Sequence, residues 1–234
     1  SHGRCEAHYG TGSGDDKTYS FDVYTTTVDF GNGLVTQPTY VGVATDSNAF
    51  DQDYHGILGV GPHSASPLMS SVTSALPGSL SHGMLLDERG RSLTFGPNPL
   101  PTRVHLDGSP HVSAEISLNG GATHKVTATI DSGGGYGAIS STLVPTDGLV
   151  PGTVLSVYAD DGKTLLYSYT LTEDNIPKES KNSAYFNTGV QAFMSGPIYV
   201  DFTKTDEEGE VVGATDFDYS WWGWKAPAIR LPWI

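Results

Sequence analysis

The chain has 234 residues, with 26 acidic against 12 basic side chains and a formal net charge of −14. A field of that sign repels phosphate backbones, which argues against nucleic acid as a partner. No stretch approaches the roughly 18 consecutive apolar residues of a membrane span, and the single cysteine, Cys5, excludes a disulfide within the chain.

The 29 glycines follow no strict repeat. They point to many turns and short strands, and so to an all-β protein. No charged region followed by an apolar core opens the sequence, so no secretory leader is visible. Tyr9-Gly10-Thr11-Gly12-Ser13 reads as a glycine-rich loop. From residue 17 to 30, Tyr19, Phe21 and Val23 alternate with polar neighbours, the period of a half-buried strand. Gly31-Asn32-Gly33 supplies a tight turn, and residues 34–45 run back, completing a predicted hairpin. The run His55-Gly56-Ile57-Leu58-Gly59-Val60-Gly61 follows. Next comes one short predicted helix, capped by Ser66, with Pro67 at its first position and Leu68, Met69, Val72 and Leu76 as its apolar stripe.

Residues 90–104 read as a strand that breaks at Pro97, Pro99 and Pro101, none of which suits a central strand. A boundary is expected there, dividing the chain into 1–100 and 101–234. The second half opens with two alternating strands flanking Asn119-Gly120-Gly121, and the second strand runs directly into Asp131. Further strands are predicted at 153–158, 164–172, 197–203 and 210–219. Asp206-Glu207-Glu208-Gly209-Glu210 between the last two is expected as a solvated hairpin tip.

Thr129-Ile130-Asp131-Ser132-Gly133-Gly134 carries the chemistry. A carboxylate at the end of an apolar strand, followed by a small hydroxyl residue and glycine, sits at a tight turn. Backbone N–H groups and the Ser132 hydroxyl can there hold it ionised and oriented. The eight histidines are scattered without metal-ligand spacing. Neither a metal nor any other cofactor is expected.

Taken in order, these segments resemble the pepsin-like aspartic proteases. Tyr9-Gly10-Thr11 resembles the flap that closes over substrate. Ile57-Leu58-Gly59 resembles the segment that packs beside the first active-site loop, and Ser92–Gly96 the strand that ends the first lobe. Asp131-Ser132-Gly133 resembles the second-lobe aspartate motif. Longer blocks, among them VDFGNGLVTQPT, ATIDSGGGYGAI and FNTGVQAFMSGPIYV, resemble the C-terminal domains of mycobacterial PE and PE-PGRS proteins. The resemblance implies a bilobal all-β fold with a partial N-terminal lobe over 1–100 and the C-terminal lobe over 101–234. It implies an aspartic endopeptidase acting on polypeptides, exported and held on or shed from a bacterial cell surface. Asp131 would be catalytic, with Ser132 and Gly133 in its loop, and Tyr9, Gly10 and Thr11 over the cleft.

Two departures stand against the pattern. Gln191–Gly196 replaces the Leu-Gly-Asp that pepsins carry in that region. The first-lobe Asp-Thr/Ser-Gly belongs a few dozen residues before the flap, and only eight residues precede Tyr9. A separate N-terminal peptide, an upstream stretch or a self-pairing arrangement is therefore expected to supply it, and Ile57 and Leu58 are expected to lie uncovered without it. The alternative is a non-catalytic surface-binding module. The tail with Trp221, Trp222, Trp224 and Trp233 is expected to pack across the sheet, or to dock to the cell envelope or to a missing segment.

Overall fold

A computed structural model describes residues 1–9, 17–45, 56–62 and 71–219. Strands dominate, as the composition indicates, and the described helices are short. The first sheet has the order β1 (Gly3–Tyr9), β2 (Lys17–Thr26), β3 (Thr39–Ala44). The predicted hairpin is present as the antiparallel β2–β3 pair. Asp29 and Val35 form an isolated bridge around Gly31-Asn32-Gly33, whose three positive φ angles of 89°, 52° and 80° make the reversal possible. Strand β1 was not anticipated. It pairs with β2 from Gly3↔Val23 to Tyr9↔Lys17, and its Cys5 and Ala7 join Phe21 and Val23 in a small buried cluster.

Ser66, Pro67, Leu68 and Met69 lie outside the described residues. Val72–Ala75 forms a single 3-10 turn, with Leu76 buried behind it. Strands β4 (Gly83–Asp87) and β5 (Ser92–Phe95) form a hairpin. The proline-rich break follows, and β6 (Arg103–Asp107) resumes beyond it. These strands share a five-stranded sheet, order β5-β4-β14-β15-β6, with β14 (Ile198–Asp201) and β15 (Ala214–Asp218), so one sheet draws on both sides of the expected boundary. The Asp206–Glu210 tip is exposed, and Thr205 and Val211 bridge across its base.

The remaining sheet has seven strands: β7 (His111–Leu118), β8 (His124–Thr129), β9 (Ala138–Ser140), β10 (Val154–Ala159), β11 (Leu165–Thr170), β12 (Lys178–Ser180) and β13 (Tyr185–Asn187). Its spatial order is β11-β10-β7-β8-β13-β9-β12. Val112, Ile116, Val126, Ile139, Leu155, Val157 and Phe186 fill one core with Ile198 and Phe217 of the five-stranded sheet. A one-turn helix, α1 (Gln191–Ser195), buries Ala192 and Phe193 there, at the position where the pepsin pattern departs.

Candidate active site

The order β8-β13-β9 positions the site. β8 and β9 are consecutive strands joined by residues 130–137, yet they do not pair with each other. β13 lies between them, parallel to β8 (Tyr185↔Thr127, Asn187↔Thr129) and antiparallel to β9 (Phe186↔Ile139). The loop carrying Asp131 therefore arches over the end of an inserted strand, and the residues that follow this strand become its floor.

That floor is backbone against backbone. Gly189 adopts φ +53°, and a Cβ on it would lie 2.4 Å from the Gly135 carbonyl oxygen and 2.5 Å from the Gly137 nitrogen. Only glycine fits so close an approach. Val190 N–H donates to the Gly135 carbonyl at 2.9 Å, Thr188 N–H to the Thr129 carbonyl at 3.0 Å, and Asp131 N–H to the Thr188 hydroxyl at 3.2 Å. Within the loop, Gly134 N–H donates to the Asp131 carbonyl and Gly137 N–H to the Gly134 carbonyl.

Each carboxylate oxygen of Asp131 receives an N–H. Gly133 N–H donates to Oδ1 at 3.0 Å, and the Asn187 side-chain amide donates to Oδ2 at 2.9 Å. Asp131 and Ser132 are half-buried and Gly133 is exposed, so the carboxylate is fixed in direction and open to a ligand. The hydrogen bonds to the carboxylate among the described residues come from the Gly133 N–H and the Asn187 side chain. Asn187 escaped the sequence reading because a polar residue after a buried Phe reads as the end of a strand.

The other expected site residues are not brought to Asp131 within the described structure. Tyr9 ends β1 opposite Lys17, and Gly10 and Thr11 lie outside the described residues. Residues 56–62 belong to no helix or strand. Val60 packs on Met84, Val200 and Phe202, and Pro62 lies close enough to Gly213 that a Cβ there would meet it at 2.6 Å. Ile57 and Leu58 are 56% and 43% exposed, and a Cβ at Gly59 would find nothing within 4 Å. Among the described residues no cluster of His, Cys, Asp and Glu has the makings of a metal site.

The PE-PGRS C-terminal aspartyl peptidase-like domain matches residues 1–210. The chain belongs to that family. It is 36% identical over 228 residues to PE cleavage protein A of two Mycobacterium tuberculosis strains, and 37% identical over 227 residues to PE cleavage protein A of Mycobacterium marinum. In each case 86% of this chain is covered, and the chain spans 40% of the length of the relative. The Asp131 loop thus belongs to an aspartyl peptidase-like domain.

Proposed function

We propose that this domain is the greater part of an aspartic endopeptidase, with Asp131 as one of two catalytic carboxylates. The two lobes are assigned to residues 1–100 and 101–234, and the protein to the secreted or cell-surface fraction of a mycobacterium. The observation that carries the reading is the carboxylate of Asp131, fixed by N–H donors on both oxygens at the crest of a loop seated on Gly189. A relative's name, PE cleavage protein A, supports a polypeptide substrate.

The second carboxylate comes from an upstream segment bearing Asp-Thr/Ser-Gly. Analogy within the molecule supports a place for it. Asn187-Thr188-Gly189 floors the Asp131 loop, and Ile57-Leu58-Gly59 is the corresponding segment, with its two apolar side chains and its glycine open to receive a second loop. With both loops present, two carboxylates share one proton, the arrangement for which aspartic proteases are the standing example. The ionised member takes a proton from water as its oxygen bonds to the peptide carbonyl carbon, and the protonated member gives its proton to the carbonyl oxygen. Collapse of the tetrahedral diol then breaks the C–N bond. The nitrogen receives the first member's proton, and a diol hydroxyl returns one to the second. Tyr9, Gly10 and Thr11 are assigned to the cover over the cleft.

The test joins the domain to its upstream segment and follows hydrolysis of an unfolded polypeptide at acid pH. Asp131→Asn is expected to lower kcat at least about a thousand-fold, as loss of an essential acid–base group does. Equal cleavage by Asp131→Asn and parent would exclude the assignment, and an upstream segment without the second aspartate would favour a non-catalytic binding module.

A further inference from the structure

Five pairs of asparagine or aspartate followed by glycine occur in the chain: Asn32-Gly33, Asp107-Gly108, Asn119-Gly120, Asp147-Gly148 and Asp161-Gly162. At such a pair the glycine nitrogen can reach the preceding side-chain carbonyl carbon and close a cyclic imide, because glycine has no side chain to crowd the approach. Ring closure needs a nitrogen free of any acceptor and a side chain free to turn toward it. Four of the pairs lack one or the other. Gly108 N–H donates to the Gly213 carbonyl at 3.1 Å, Gly148 N–H to the Pro145 carbonyl at 2.8 Å, and Gly162 N–H to the Ala159 carbonyl at 3.0 Å. Asn119 is tied through its side chain. Its Oδ1 accepts the Val154 N–H at 2.8 Å, and its own N–H donates to the Val154 carbonyl at 2.8 Å.

Asn32-Gly33 has both freedoms. Asn32 is exposed, its side chain meets no hydrogen-bond partner among the described residues, and the Gly33 N–H meets no acceptor there. The backbone is otherwise the same at the two asparagines. Leu34 N–H closes onto the Gly31 carbonyl and Gly121 N–H onto the Leu118 carbonyl, each at 2.9 Å. φ is 52° and 80° at Asn32 and Gly33, and 51° and 69° at Asn119 and Gly120. Both are two-residue turns with positive φ at each central residue, so turn geometry cancels from the comparison and the Val154 bond remains.

We propose that Asn32 is a site of spontaneous deamidation, and that Val154 protects Asn119 from the same reaction. This stands apart from the protease reading and consumes only solvent water. The Gly33 nitrogen gives its proton to solvent base and bonds to Asn32 Cγ. The Cγ–Nδ2 bond breaks, and the nitrogen takes a proton back from solvent and leaves as ammonia. Water then opens the imide. Addition at Cγ breaks its bond to the Gly33 nitrogen and gives aspartate. Addition at the main-chain carbonyl carbon of residue 32 breaks that carbon's bond to the same nitrogen and gives isoaspartate, in which the chain runs through Cγ. No oxidation or reduction occurs.

Either product adds a negative charge to a chain already at −14. Isoaspartate also lengthens the main chain by one carbon within the turn that Leu34 closes. Phe30, just before this turn, donates its N–H to the Leu34 carbonyl at 2.9 Å and meets Phe95 of β5 edge-on at 5.1 Å. The modification therefore acts where the turn touches the five-stranded sheet.

The test incubates the chain in mildly alkaline buffer made with oxygen-18 water, so that only events during incubation carry the label, and follows each site by peptide mapping. In the folded chain Asn32 is expected to react at least about five-fold faster than Asn119, the factor that one net hydrogen bond supplies. In urea, with the Val154 bond gone, the two rates are expected to converge. Asn32→Gly keeps the positive φ accessible and is expected to remove the first acidic form resolved by ion exchange. Equal rates in the folded chain, or faster reaction at Asn119, overturn the proposal. So does a lag at Asn119 that persists in urea, since flanking sequence and not the fold would then protect it. Persistence of the first acidic form in Asn32→Gly removes Asn32 as its source and overturns the proposal as well.

Discussion

Gly189 and Gly59 bring the argument to single atoms. Gly189 has a positive φ and backbone atoms at 2.4 and 2.5 Å from where a Cβ would stand, whereas Gly59 has open space. Gly189→Ala must therefore strain the chain and push the Asp131 loop off its floor. It is expected to destabilise the domain by about 2–4 kcal/mol. Gly59→Ala is expected to change stability by less than about 0.5 kcal/mol, as unconstrained surface substitutions do. Urea unfolding of both variants checks the pair, and equal losses would mean that Gly59 is packed as closely as Gly189. A second prediction concerns Tyr167, fully buried with its hydroxyl meeting no partner among the described residues and its ring stacked on Phe217. Burial raises its pKa well above 10. Tyr167→Phe removes an unsatisfied group without changing shape, so a gain of about 1 kcal/mol is expected. A loss in the unfolding midpoint would show that the hydroxyl has a bonded partner. At this scale Asp131 was legible in the sequence, because an apolar strand ending in Asp-Ser-Gly is a local pattern. Asn187 was not, because its role depends on contact with a loop 56 positions away.

Elements were legible in proportion to their length. β2, β7, β8, β10 and β11 have six residues or more, enough to display alternation. β9, β12 and β13 have three each, too few for a period to register, and parallel pairing places them where no local signal can. β1 was missed because Cys5 and Ala7, its buried residues, are small and carry little hydropathic contrast. The proline break, read correctly as an interruption, is held by β15. Asp216 on that strand is nearly buried and accepts from Asn98 Nδ2 at 2.6 Å, with His105 Nδ1 at 2.7 Å and Arg103 Nε at 3.5 Å. Asp216→Ala orphans Asn98 and separates the break from the sheet. Arg103 and His105 are about half exposed and can turn to water, so the expected cost is about 1–3 kcal/mol, below that of a fully buried pair. A denaturation midpoint within error of the parent would mean that β6 and β15 hold without the clasp.

For the whole molecule, charge and pH act together. Asp161, capped by the Thr164 hydroxyl and then the Thr164 and Lys163 N–H groups, titrates at about 2, below its ordinary 3.8. Asp107 is also lowered, chiefly by its hydrogen bond to Lys204 and the charge behind it. A depressed carboxylate adds stability above its unfolded value and loses it as pH falls through the folded value, so these groups withdraw support between about pH 4 and 2. The buried tyrosines act in the opposite sense. Burial raises Tyr167, Tyr169 and Tyr199, so their contribution is complete below the ordinary tyrosine value and declines as pH climbs past about 10. Between these limits the net charge decides. At pH 7 the formal charge of −14 sets the folded chain against itself, and the repulsion fades toward the sequence pI near 4.7. The urea midpoint at low ionic strength is therefore expected to peak near pH 5, fall below pH 4, and be lower at pH 7. Salt added to about 0.5 M is expected to raise the pH 7 midpoint and leave the pH 5 midpoint nearly unchanged, since screening relieves only a repulsion that exists. Equal salt responses at the two pH values would show that net charge does not limit the stability of this fold.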